Sequence, residues 1–409
     1  MNILFVTDRV NSTGDPNINL AQNIAKVLEK EHNVFFMGHD IDKTKQNDFC
    51  FYYLWDEKVR NIFFSLNGKS FFDKLTTLLS HPFLSFLGVF KVFNIDLIDR
   101  MYKKQIESVC KKYSIDVVIS LSAPFYTAKG LAKANITAKK IVMLFDPYAK
   151  HYIYKNPRTE KQEKAVFDAV HHIFVPHLIA DEYNRNNLSA FEFPCLMTES
   201  TDENTNISTQ LLPADKTNIV YCGSLYADIR SPEYLYELVK KADNPNLHIT
   251  IVGGVYGSFN NEFNTKYADF IKQHVTLIGK VSKEKAREYL SAADIVVNIG
   301  NTIDNMLPSK VLECISTGKR VLNLCQIENC PSLTYFKKYG NSLDLYTKNE
   351  IDNNTLCRFA DFVNTEKYIP QNEILQKFEA ATPQYVAQQL IAAINNCISN
   401  IMHISKNSK

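Results

Sequence analysis

Residues 305–324 read NMLPSKVLECISTGKRVLNL, and the order of punctuation within this stretch decides the fold class. Pro308 suits the first position of a helix, where a missing N–H costs nothing. Gly318 suits a helix stop about three turns later, and Val321, Leu322 and Leu324 continue as a buried strand. A helix that feeds such a strand is half of an α/β repeat. Two charged residues inside the unit ask for more than packing. Lys310 adds positive charge to a helix end that already carries free N–H groups. An anion there relieves the repulsion, and phosphate is the usual one. Glu313 lies four residues after Ser309, on the same helix face, among Val311, Leu312, Cys314 and Ile315. A carboxylate so placed seeks hydrogen-bond donors, which the paired hydroxyls of a ribose supply. The competing reading is an ordinary surface helix start, in which Lys310 pairs with Glu313 at i, i+3.

The same alternation runs along the whole chain. Apolar strands are expected at 3–7, 33–37, 116–121, 140–145 and 172–175, with a helix over 18–30 between the first two. Short runs that are apolar on both faces indicate a parallel sheet covered by helices. The polar run TESTDENTNISTQ at 198–210 breaks the pattern and suits a linker or exposed loop. A second series follows: strands at 219–222, 248–252, 276–278 and 295–299, and helices at 232–241, 262–273 and 283–292. A last helix from 383 to about 402 carries Val386, Leu390, Ile391, Ile394 and Ile398 at helical spacing. The expected fold is therefore α/β, with two Rossmann-like domains facing across a cleft. Residues 1–200 form the first domain, with an apolar and basic insertion at about 41–112. Residues 201–382 form the second, and 383–409 is a helix that can pack back onto the first. A length of 409 residues agrees with two domains of about 150–200 residues each.

Composition removes several classes of function. A formal charge of +2 lacks the basic excess of a nucleic-acid binder. Nine cysteines, an odd number without a CxxC pair, suit reduced thiols in the cytoplasm and neither a disulfide framework nor a zinc site. The opening MNILFVTDRV reads as a strand followed by charge rather than a signal peptide, and no uncharged run reaches the 18 residues of a membrane span.

Residues 279–322, GKVSKEKAREYLSAADIVVNIGNTIDNMLPSKVLECISTGKRVL, resemble the donor-binding region of retaining, family-4-like glycosyltransferases of the GT-B fold. The stretch 219–239, IVYCGSLYADIRSPEYLYELV, is similar to the opening of their second domain. In the first domain the resemblance is limited to strand order, the polar loop after the first strand and LFDPY at 144–148. It implies that Glu313 binds the donor ribose and that Ser309 and Lys310 stand beside the diphosphate. Arg230 then neutralises the leaving phosphate, and Gly223 lets the backbone approach the donor. Many relatives carry a second glutamate eight positions earlier; here that position is Asn305, which can bond a sugar hydroxyl but cannot stabilise positive charge at the anomeric carbon. The arginine of the relatives' glycine-arginine pair is Ser224 here, which leaves Arg230 and Lys310 as the cations.

The implied activity is glycosyl transfer from a nucleotide sugar, a UDP-sugar first among them, to a saccharide or lipid-linked acceptor, with retention, in cell-surface polysaccharide or glycolipid synthesis. Stabilising the nucleoside diphosphate that leaves is the main task, and Arg230 and Lys310 suffice for it without a metal. No further cofactor is implied. Asp146, on the turn after the 140–145 strand, is the candidate assisting carboxylate, at a carboxyl edge where sites form; an Asp-Pro turn initiator is the plainer reading. His151 lies nearby. Gly14, in the loop after the first strand, suits the approach of an acceptor, or a capping loop. GGVYG at 253–257 fails the GxGxxG pattern and reads as a tight strand-to-helix turn. The stretch 61–94, rich in Phe and Leu and edged by Lys58, Arg60, Lys69, Lys74 and Lys91, suits either a cover for the first sheet or a peripheral contact with an anionic membrane. That contact would place the protein at the inner face of the membrane. Two other classes stay open: a non-catalytic paralogue that binds a partner protein or glycan, favoured by Asn305, and a nucleotide-sugar 2-epimerase.

Overall fold

The computed structural model describes residues 1–8, 16–38, 48–50, 97–122, 125–151, 155–196, 211–226, 229–256 and 261–406. The chain divides into two compact units, one made of 1–175, 184–190 and 389–409, the other of 176–183 and 191–388. Gly14, the 61–94 stretch and the whole polar run at 198–210 lie outside the described residues.

The first unit is built on β1 (Asn2–Val6), β2 (Asn33–Gly38), β3 (Asp48–Cys50), β4 (Val117–Ser122), β5 (Lys139–Leu144), β6 (His172–Pro176) and β7 (Leu188–Phe191). They form one sheet in the order β3-β2-β1-β4-β5-β6-β7, with β1 parallel to both β2 and β4. Every residue of β4 is buried, which is why its sequence is apolar on both faces. The helices are α1 (Pro16–Leu28), α2 (Leu97–Tyr113), α3 (Tyr126–Lys133) and α4 (Pro157–Ala169). α2 and α3 touch closely because residue 130 is glycine: a Cβ there would lie 2.5 Å from Tyr102 Cβ. Between them the buried Asp99 is held by Lys133 at 2.6 Å. Asn156 starts α4, its side chain accepting from the backbone N–H groups of Arg158 and Thr159.

The second unit carries β8 (Thr217–Cys222), β9 (Leu225–Tyr226), β10 (Leu247–Val252), β11 (Val255–Tyr256), β12 (Val275–Gly279), β13 (Ile295–Ile299), β14 (Arg320–Cys325) and β15 (Ser342–Tyr346). Its main sheet runs β12-β10-β8-β13-β14-β15, so the strand order reverses between β8 and β13. Around it lie the one-turn α5 (His177–Ala180), α6 (Glu233–Ala242), α7 (Asn261–His274), α8 (Lys283–Ala292), α9 (Lys310–Ser316), α10 (Ser332–Tyr339), α11 (Asn353–Asn364) and α12 (Gln371–Phe378). The core joins Ile219, Ile249, Ile295 and Leu322 from the strands to Leu235, Leu238, Tyr267 and Phe270 from α6 and α7. A fully buried side chain of this size contributes about 1.5–3 kcal/mol. The last helix, α13 (Pro383–Lys406), belongs to the second unit up to Gln388 and to the first from Gln389. No described helix is long and apolar enough to cross a membrane.

Two expectations are corrected. The helix of the 305–324 stretch begins at Lys310, not Pro308, and runs seven residues. The Val311 N–H bonds back to the Pro308 carbonyl at 3.0 Å, three residues away, so the entry turn is tighter than α and the regular helix starts later. Gly318 does end it, at φ +71. GGVYG does not turn directly into a helix: Val255 and Tyr256 form β11 and pair in parallel with Leu225 and Tyr226 of β9. Gly253 serves that geometry at φ +149, and a Cβ on it would lie 2.0 Å from the Gly223 carbonyl oxygen. Gly253→Ala should therefore lower the unfolding free energy by about 2 kcal/mol or more. Urea titration followed by circular dichroism measures this, and an unchanged midpoint would show that the two loops do not depend on their close approach.

Candidate functional site

β8 and β13 keep register only at Ile219 with Ile295 and at Val220 with Val296. Beyond those pairs the strands part, and the gap at their carboxyl ends is the place where open α/β sheets bind ligands. β8 leads there to Gly223, β13 to Gly300 and Asn301, and β14 to Gln326. The Gly223 N–H donates to the Val252 carbonyl at 2.9 Å. A Cβ on Gly223 would meet the Tyr221 hydroxyl at 2.8 Å, and Gly253 backs onto its carbonyl. A backbone packed this tightly, and bare of side chains, is one a ligand can approach.

Arg230 is positioned rather than loose. Its backbone pairs with Tyr226 in both directions, at 2.8 and 3.3 Å. Its Nε donates to Asn301 Oδ1 at 3.1 Å, and an Nη donates to the same oxygen. Asn301 is 6% exposed and fixes itself through Nδ2 to the Met306 carbonyl at 3.3 Å. Gln326 ties the surrounding backbone, its Nε2 donating to Ile229 at 2.9 Å and Gly300 at 2.8 Å. Burial pushes the neighbouring Tyr221 phenol up, with Arg230 opposing it.

Lys310 Nζ lies 2.6 Å from Glu313 Oε2, the side chains 35% and 26% exposed. This is the i, i+3 pair that the plainer reading of the sequence expects. Burial works against the Lys310 charge, but Glu313 more than offsets it and the pKa is raised. Ser309 precedes the helix without a side-chain capping bond; its carbonyl accepts from the buried Cys195 thiol at 3.6 Å. Asn305 stands in the turn before α9, partly exposed. The structure thus brings Gly223, Arg230, Ser309, Lys310 and Glu313 to one edge of one sheet.

In the first unit, Asp146 follows β5 and accepts from Asn17 Nδ2 at 3.3 Å. Burial raises its pKa, with Asn17 and His151 opposing. Burial lowers that of His151, with Asp146 opposing. Asp8, at the end of β1, is buried and accepts from the Tyr126 hydroxyl. Among the described residues, no group of three or more His, Cys, Asp or Glu could hold a metal ion.

Sequence reasoning missed Lys283, Asn301 and Gln326. Lys283 carries the sign that singled out Lys310, a cation opening a helix. Asn301 and Gln326 each follow the end of an apolar strand, a position where polar residues have reason to face a site.

Residues 216–326 match the family described as glycosyl transferases group 1, a span that holds every site residue of the second unit named above. Over that span the chain is similar to the group 1 glycosyltransferases. No curated protein sequence matches the chain. Among solved structures it is similar to the lipopolysaccharide outer core galactosyltransferase WaaB in its apo form, at 13% identity and a TM-score of 0.56, covering 98% of this chain and 99% of that one. It is similar to Anabaena HepE in complex with UDP, at 14% identity and a TM-score of 0.56 over 98% and 100%. An E. coli trehalose-6-phosphate protein bound with UDP-2-fluoro glucose gives 8% identity and 0.62 over 96% and 99%. Identities this low speak for the fold, and that fold is GT-B.

In Asp146→Asn the charge that opposes burial at His151 is gone. His151 should then titrate at lower pH than in the wild type, and NMR titration of its Cε1 proton measures the change. An unmoved midpoint would mean that the two side chains are independent.

Proposed function

We propose that this glycosyltransferase moves a sugar from a nucleotide sugar, a UDP-sugar in the first instance, to a saccharide or lipid-linked acceptor with retention and without a metal. The observation that carries the reading is the convergence of Arg230, Lys310 and Glu313 where β8 and β13 part, inside the span that matches the family. Glu313 takes the ribose hydroxyls, and Asn305 offers its amide to a sugar hydroxyl. The bond between the anomeric carbon and the phosphate oxygen breaks, and Arg230 and Lys310 hold the negative charge of the departing diphosphate. The acceptor oxygen bonds to the anomeric carbon from the face that the diphosphate leaves, and its proton passes to a phosphate oxygen. Asp146 is the assisting carboxylate, and His151 and Gly14 are assigned to the acceptor side. Action in the cytoplasm at the inner face of the membrane, in polysaccharide or glycolipid synthesis, belongs to the same reading. WaaB, named for the lipopolysaccharide outer core, and HepE, solved with UDP, lend it support.

Thermal shift against UDP, GDP, ADP, CMP and dTDP tests the donor site. One of them should raise the melting temperature, by mass action on the folded state, and Glu313→Ala should abolish the rise. Lys310→Ala should cut turnover by about 100-fold or more while changing the unfolding free energy by less than about 1 kcal/mol. If no nucleotide shifts the wild type and Lys310→Ala leaves turnover intact, the transferase reading fails and the partner-binding paralogue takes its place.

A further inference from the structure

The charges beside Glu313 do not balance. Lys310 already holds its carboxylate at 2.6 Å, yet a second lysine, Lys283, feels the same carboxylate and is repelled by both Arg287 and Lys310. Among the described residues Lys283 makes no ion pair. With Arg230, four cations thus share this end of the sheet with two carboxylates, Glu313 and the exposed Glu284 of α8, which both Arg287 and Lys283 stabilise.

Placement follows from the fold. β12 ends at Gly279 on the carboxyl edge of the sheet, and α8 opens four residues later with Lys283. One turn on, the Ala286 carbonyl accepts from the Cys222 thiol at 3.6 Å. Cys222 immediately precedes Gly223, so the helix face carrying 283, 286 and the buried Leu290 lies against the end of β8. Burial pushes the Cys222 thiol up to about 12, with the nearby Lys310 charge opposing it. Cys195 links the same groups from another side: its thiol donates to the Ser309 carbonyl, and both Lys283 and Lys310 act on it. Lys283 and Lys310 therefore flank the loop at Gly223, from α8 and α9. Burial already disfavours the Lys283 charge. A cation held there without a partner of its own is disfavoured unless an anion completes the site.

We infer that Lys283 is a third cation of the donor site and binds the diphosphate of the nucleotide. The inference rests on the donor-site reading above. A diphosphate supplies the missing negative charge. As Glu313 turns to the ribose, Lys310 is released toward the phosphates, and Lys283 bonds them from the α8 side. Lys283 is then a binding and positioning residue for the leaving group, beside Arg230 and Lys310.

The test is calorimetric titration of the full chain with the diphosphate, monophosphate and nucleoside of the base that the thermal panel selects; for a uracil site these are UDP, UMP and uridine. Lys283→Gln should weaken the diphosphate by about tenfold or more, as loss of one charge-assisted bond implies. It should weaken the monophosphate less and the nucleoside not at all. Lys283→Arg should bind the diphosphate within a few-fold of the wild type, a rescue that a packing role does not give. In turnover, the donor KM of Lys283→Gln should rise by more than kcat falls. Equal loss for diphosphate and nucleoside would overturn the inference, because Lys283 would then read the base. Unchanged affinity would overturn it as well, since Lys283 would be a bystander. Absence of nucleotide binding by the wild type would instead remove the donor site itself.

Discussion

Beyond Val220 and Val296 the strands β8 and β13 stop pairing, and much of the second unit answers that one divergence. Backbone carbonyls in the loops beyond the parted strands need partners where they are buried. Here side-chain amides supply them: Gln326 holds the carbonyls of Gly300 and Ile229, and Asn301 holds that of Met306. Because the same Asn301 accepts from Arg230, the group that stitches the parted strands also aims a cation into the gap. Support of the backbone and placement of charge are one arrangement.

A second buried polar ladder keeps the neighbouring strands in step. Asn298 donates to Asn323 at 2.8 Å, Asn323 donates to Asp344 at 2.7 Å, and Ser332 closes the chain on Asn323 at 3.0 Å. A one-residue slip of β13, β14 or β15 would leave these groups unpaired in a dry interior, so the ladder penalises wrong registers more than it adds stability. Arg320, at the start of β14, does similar work at the other end of the strand by holding the carbonyls of Phe362, Val363 and Thr365. The carboxyl ends of β13 and β14, and with them Asn301 and Gln326, are thereby set in place before any ligand arrives. Preorganised donors of this kind are what stabilise a leaving diphosphate without reorganisation during the reaction.

Electrostatics completes the picture. Lys310 and Glu313 satisfy each other at 2.6 Å, so the pair alone is compatible with an ordinary surface helix. The cations around it are not: Lys310, Arg230, Lys283 and Arg287 outnumber the two carboxylates, Glu313 and Glu284. On the proposed reading the pair is a closed latch that a nucleotide opens, trading one ion pair for ribose and phosphate bonds.

Much of the fold is legible from residue order, because strands buried on both faces must be apolar throughout and helices must show their own period. The strands at 295–299 and 219–222, the glycine stop at 318 and the pairing capacity of Lys310 and Glu313 all follow from local chemistry. β9 and β11 are not legible, since two-residue strands carry no periodicity, and the true start of α9 depends on a tight turn from Pro308 that a proline-first helix does not suggest. Asn301, Gln326 and Lys283 escape for a different reason. They come from three separate strand-to-helix connections, and only the pairing order β12-β10-β8-β13-β14-β15 brings those connections to one edge. Local sequence specifies which elements form, because propensity and burial period act over a few residues. Which charges meet was decided by tertiary structure, because that depends on strand register across the whole sheet.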